Sequence, residues 1–93
     1  MGKNMKLSGE NITVANAINQ EILKGESLYG NDNTNDRWAC ILGEEIGEVN
    51  HALNEICLHP ENIENIIDNL KYELIQISAV SIRWLKELNK EPK

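Results

Sequence analysis

Residues 36–58 read DRWACILGEEIGEVNHALNEICL, and this stretch decides the fold. Trp38, Ile41, Val49, Ala52 and Ile56 recur at spacings of three and four, the period of an amphipathic helix. Projected at about 100° per residue with Glu45 at zero, all five fall within about 40° of it. Glu45 therefore stands in the middle of the apolar stripe. Glu48 lies about 60° from that centre, still on the face, and Glu44 is on its shoulder at about 100°. The helix is expected to start after Asn35 or Asp36, with Asp36 able to cap it. Pro60 stops it near His59.

The next helix repeats the arrangement. It is expected to begin around Pro60 or Glu61 and to run to about Leu88, with a break near Asn69. With Glu73 at zero, Ile66, Ile77, Val80 and Trp84 lie within about 40°, and Gln76 sits about 60° to one side. Each helix thus offers an i, i+3 pair of oxygen-bearing side chains, Glu45/Glu48 and Glu73/Gln76.

Before the opening stretch, Val14, Ala15, Ile18 and Ile22 predict a first helix over about 12–24, capped by Asn11 or Thr13. Gly25 and the run Gly30 to Asp36 read as a loop rich in turn formers. Residues 1–11 are polar and expected to be flexible, leaving 12–90 as one helical domain. No strand alternation or internal repeat is visible. The fold class is all-α, a helical bundle.

The chain has 93 residues, 41% of them hydrophobic, and carries only Trp38, Trp84, Tyr29 and Tyr72 as aromatics. A core built mainly of aliphatic side chains in so short a chain is thin, and association with a second copy is a common remedy. The net charge of −6 argues against binding a nucleic-acid polymer, whose phosphates it would repel. Cys40 and Cys57 lie on one predicted helix, roughly 25 Å apart at 1.5 Å per residue, too far to bridge within it. Two free thiols suit a reducing compartment. His51 and His59 do not join them in a zinc-binding spacing. No apolar leader or membrane-spanning run is present, so the expectation is a cytoplasmic protein without membrane contact.

A buried ion costs several kcal/mol even after relaxation. Three carboxylates on core-facing stripes have one plausible cationic neighbour, Arg83, since Lys71 projects from the opposite side of its helix. A hard divalent cation resolves the conflict. Mg²⁺ prefers a few carboxylates, retained waters and substrate phosphates. Glu45, Glu48 and Glu73 are therefore the expected metal ligands.

Glu44-Glu45-Ile46-Gly47-Glu48 followed by Glu73-Leu74-Ile75-Gln76 on the next helix resembles the EExxE…ExxD signature of the MazG-like, all-α nucleoside triphosphate pyrophosphohydrolases. The stretches Arg37 to Glu48 and Glu73 to Leu85 look especially like the short phage and prophage members, and the likeness covers about residues 12–88. The resemblance implies Mg²⁺, with Mn²⁺ as a substitute, held by Glu45, Glu48, Glu73 and Gln76. Gln76 departs from the pattern, standing where most members have Asp. An amide oxygen can coordinate but removes one negative charge. The implied reaction hydrolyses a nucleoside or deoxynucleoside triphosphate to its monophosphate and pyrophosphate. Glu44 would orient or deprotonate the water, with Glu45 as the alternative. The family also implies oligomers.

Other residues have two readings. Trp38 is either core or a surface for stacking a base. Arg83 either reaches a phosphate oxygen or makes an ion pair at the surface or a subunit contact. Glu21 is either solvated or closes the site from a third side. Trp84 reads as core, Lys24 as a helix-end cation, and His51 as solvent-exposed on the far side of its helix. A second apolar band on the last helix, Ile67, Leu74, Ile75, Ile82 and Leu85, predicts a homodimer or higher oligomer built on that band.

Overall fold

The computed structural model describes residues 8–90, and they are all-helical. Helix α1 spans Gly9–Tyr29 and α2 spans Asn35–Leu58. A 3-10 turn, Pro60–Asn62, leads into α3, Ile63–Lys90. Among the described residues there is no strand. Helix α3 is the central element. It packs against both α2 and α1.

The helix limits follow from caps that differ from those expected. Ser8, not Asn11 or Thr13, caps α1, its Oγ accepting from the Asn11 backbone N–H at 3.1 Å. The helix therefore begins before residue 12, and residues 8–11 form its cap and first turn. Residues 1–7 of the expected flexible segment lie outside the described residues. Thr34, not Asp36, caps α2, accepting from the Arg37 N–H at 3.1 Å, while Asp36 sits in the first turn, where its charge favours the helix dipole. Gly30 ends α1 at φ +68°, a left-handed conformation that glycine adopts without penalty, and its N–H bonds the Glu26 carbonyl at 3.0 Å.

Gly25, expected in the loop, is instead inside α1, which runs on to Tyr29. Tertiary packing explains it. A Cβ at position 25 would lie 2.5 Å from Arg83 Nη1 and 3.0 Å from its Cζ. Arg83 cannot easily retreat, because Nε donates to Asn31 Oδ1 at 2.8 Å and Nη2 to the Gly30 carbonyl at 2.6 Å. Alanine is the better helix former by about 1 kcal/mol. Even so, Gly25→Ala is expected to destabilise the protein by about 1–3 kcal/mol, the usual range for overpacking. A urea titration gives the sign, and a more stable variant would show that Arg83 yields.

Helix α3 is continuous through Asn69, with no break. Buried side chains are Ile22, Trp38, Ala52, Ile66, Ala79, Val80 and Arg83. The stripes of α2 and α3 thus meet as their periodicity requires. The radius of gyration is 16.0 Å, against about 12 Å for a compact domain of this length. Of the second band on α3, Leu74, Ile82 and Leu85 are exposed, and Ile67 and Ile75 are half-buried. No helix among the described residues is long and apolar enough to cross a membrane.

Candidate metal centre

The two stripes bring Glu45 of α2 against Glu73 of α3, both half-buried. The Glu45 carboxyl is raised to about 7, first by burial, then by the hydrogen bond to Glu73 and by the negative charges of Glu73, Glu48 and Glu44. Two carboxyl groups that share a hydrogen bond need a proton between them, which is why one member stays protonated near neutrality. None of the ion pairs among the described residues includes Glu45, Glu48 or Glu73.

Glu48 is exposed rather than on the buried face. An offset of about 60° from the stripe centre carries a long side chain to the rim of a helix contact. There it lines an open groove of about 500 Å³ together with Glu73, Asn69, His51 and Glu55. His51 is exposed as expected, yet it faces this groove rather than the far side of the molecule, with Nε2 3.7 Å from Glu55. Glu44 is also exposed and lines a separate cleft of about 370 Å³ with Arg37, Glu45, Gln76 and Arg83.

Gln76 is half-buried, and its side-chain Nε2 donates to Glu21 of α1. Glu21 is itself half-buried, so it closes this side of the site rather than lying in solvent. Glu21, Glu45 and Gln76 share a cavity of about 260 Å³, walled also by Tyr29 and Tyr72. Glu21 thus takes the second of its two sequence readings, whereas Tyr29 and Tyr72 carry no site reading in the sequence. Their one signal was spacing on helices whose mutual docking was unknown.

The metal cage expected from the four ligands does not close. Among the described residues, no three His, Cys, Asp or Glu side chains converge as a ready group for an ion. The pair Glu45–Glu73 is formed, Glu48 stands at its rim, and Gln76 is turned into a contact with α1.

Two residues expected to touch substrate belong to the framework. Trp38 is 1% exposed, which leaves no face for a nucleotide base. Arg83 is buried, with its guanidinium 5.1 Å from the Trp38 ring centroid and two of its nitrogens bonded to the α1–α2 connection. It still forms part of the wall of both cavities that contain Glu45 and Gln76. Trp84 is only half-buried, its indole N–H donating to Asn35 Oδ1 at 2.9 Å. Compared with protein-family models, curated proteins and solved structures, the chain matches none of them.

Proposed function

We propose that this protein is a Mg²⁺-dependent nucleoside or deoxynucleoside triphosphate pyrophosphohydrolase of the MazG-like type, active in the cytoplasm. The observation that carries the reading is the Glu45–Glu73 pair. Two carboxyl groups from different helices stand side by side, neither of them in any ion pair among the described residues, and burial and the surrounding negative charge raise the Glu45 carboxyl. The donor types suit a hard ion, carboxylate oxygens from Glu45, Glu73 and Glu48 and the Gln76 amide oxygen, although the described residues do not bring all four to one point. When bound, Mg²⁺ would neutralise the triphosphate and stabilise charge at the attacked phosphorus. Glu44, in the adjoining cleft, would orient or deprotonate the water, with Glu45 as the alternative.

The test is release of pyrophosphate from a panel of dNTPs and NTPs with Mg²⁺ or Mn²⁺. Turnover of at least one nucleotide is expected, with none in EDTA. A second reading, a non-catalytic nucleotide-binding or helical interaction module, is favoured by one observation: no three potential ligands converge among the described residues. Retained nucleotide binding without pyrophosphate release under any divalent ion would select it.

The same reading includes a homodimer or higher oligomer. Exposed Leu74, Ile82 and Leu85 on α3, in a bundle too open for its length, support it. Sedimentation equilibrium is expected to give at least twice the chain mass, and Leu74→Lys with Leu85→Lys to give the monomer. A wild-type monomer at micromolar concentration would remove this part of the proposal.

A further inference from the structure

We infer that the cleft between α1, α3 and the start of α2 holds an anion seat, built from Lys24, Arg37 and the Nη1 end of Arg83, which takes a phosphate group at the polyphosphate end of the substrate. The seat rests on the nucleotide-substrate reading given above and needs no bound cation. It gives Lys24 and Arg37 a part in the site, and Arg83 a second part beside its structural one.

Arg83 is 8% exposed. Its Nε donates to Asn31 and its Nη2 to the Gly30 carbonyl, and these two bonds fix the plane of the guanidinium. Nη1, which carries two N–H donors, is left without a hydrogen bond among the described residues. A charged donor that is buried and unmatched is costly, so the position favours a partner. Nη1 is not sealed off from one. Among the described residues, the enclosed side-chain atom without a partner is Trp38 Nε1, not Arg83 Nη1. Nη1 faces Gly25, where a Cβ would come within 2.5 Å of it, and Gly25 and Arg83 wall the same cavity. An arginine held rigid by two framework bonds, with its third nitrogen at a cavity wall, is preorganised to donate to a phosphate oxygen.

Two further cations wall the same cleft. The cavity lined by Lys24 and the one lined by Arg37 share Tyr29, Glu45, Gln76, Val80 and Arg83, so they are adjoining parts of one space. In the sequence Lys24 reads as a helix-end cation. Helix α1 runs on to Tyr29, however, and has no basic residue in its last turn, so that role falls away. Lys86 and Lys90 are paired with Glu26 and Glu87, whereas Lys24, Arg37 and Arg83 are in no ion pair among the described residues. Glu21, Glu44 and Glu45 line the same walls and oppose an anion. A singly charged ligand is therefore poorly held. A phosphate chain, with several charged oxygens to share among three cations, is the class that fits.

The test uses tripolyphosphate and the full chain in EDTA, so that neither a metal nor turnover is needed. Titration calorimetry at low ionic strength is expected to show binding that half-molar salt removes. Arg83 is followed in the wild type, since its variants are expected to lose stability: its guanidinium ¹⁵N resonances are expected to shift as tripolyphosphate is added. Lys24 and Arg37 are exposed, so their variants keep the fold. Lys24→Gln and Arg37→Gln are each expected to weaken binding about 2–5-fold, the range of a partly screened ion pair. Lys71 is also exposed and in no ion pair among the described residues, but it lines a different groove. Lys71→Gln is expected to leave the affinity unchanged. A dNTP in EDTA is expected to displace tripolyphosphate.

A wild type that binds no tripolyphosphate, or binds it with unmoved Arg83 signals, would overturn the seat and leave water as the partner of Nη1. Equal weakening in all three variants would also overturn it, by reducing the effect to bulk charge, as would an unchanged affinity in both Lys24→Gln and Arg37→Gln. A dNTP that fails to displace tripolyphosphate defeats the assignment to the substrate. Binding at Arg83 without pyrophosphate release from any nucleotide defeats the enzymatic reading and keeps the seat. Turnover with unmoved Arg83 signals defeats the seat alone.

Discussion

Glu45→Gln is expected to abolish Mg²⁺-dependent pyrophosphate release while making the metal-free protein more stable. The loss of activity should be on the order of 10³-fold, equivalent to about 4 kcal/mol of transition-state stabilisation. The gain in stability follows from the raised Glu45 carboxyl. Below its ordinary value of 4.5, folded and unfolded chains both hold the proton, and between 4.5 and about 7 only the folded chain does. The folded state binds more protons across that window, so stability falls as pH rises through it. Above about 7 the folded protein carries the unrelieved negative pair.

Glutamine is neutral throughout and escapes this penalty. After allowance for partial exposure and screening, the benefit at pH 8 in EDTA is on the order of 1 kcal/mol. That corresponds to roughly 4–8 °C in Tm for a domain of this size. At pH 4 the two proteins should melt alike. Mg²⁺ at pH 8 should reverse the order, since only the wild type gains from binding it. Calorimetry at the two pH values, with and without Mg²⁺, separates these effects. A variant that keeps its activity, or a wild type whose Tm ignores Mg²⁺ and nucleotide alike, would sink the metal reading.

Arg83→Ala is expected to cost about 3 kcal/mol of stability, or roughly 12–24 °C in Tm, without any nucleotide present. Buried Arg83 makes two charge-assisted hydrogen bonds to the α1–α2 connection and stacks over Trp38. Its removal leaves the Gly30 carbonyl and Asn31 amide oxygen without that donor, and opens a void above an indole. Lysine cannot replace it, because one ammonium does not reproduce the planar fork that serves both oxygens. Arg83→Lys should therefore lose most of the same stability. If Arg83 instead served mainly to bind phosphate, alanine would raise KM and leave the Tm of the free protein alone. Thermal melts followed by KM measurements on the folded fraction distinguish the two roles.

The helices themselves were legible wherever one face meets another. The stripe Trp38–Ile41–Val49–Ala52–Ile56 on α2 and its counterpart on α3 pack together as their period demands. Their central carboxylates, Glu45 and Glu73, meet for the same reason. What periodicity does not convey is the width of the contact. Glu48 and Gln76 have similar angular offsets, yet Glu48 reaches the rim and Gln76 meets α1. That outcome depends on where a third helix docks.

Gly25 misled for a related reason. An isolated glycine normally signals a helix end because it costs about 1 kcal/mol relative to alanine. Here the missing side chain makes room for a guanidinium from a residue 58 positions later (83 − 25). Arg83 likewise reads in the sequence as a phosphate contact or an ion-pair partner, because its actual acceptors, a backbone carbonyl and an asparagine, leave no charge signal there.

The central position of α3 imposes an order on synthesis. Helix α1 leaves the ribosome before α2 and α3, yet its partners lie on α3. Glu21 waits for Gln76, Asn31 for Arg83, and Glu26 for Lys86, intervals of 55, 52 and 60 residues. At about 5–20 residues per second, α1 spends several seconds as a nascent helix with nothing to dock on. The α2–α3 hairpin closes over a shorter span and can form around its own stripe. Of the three described helices, α1 is written first and fastened last.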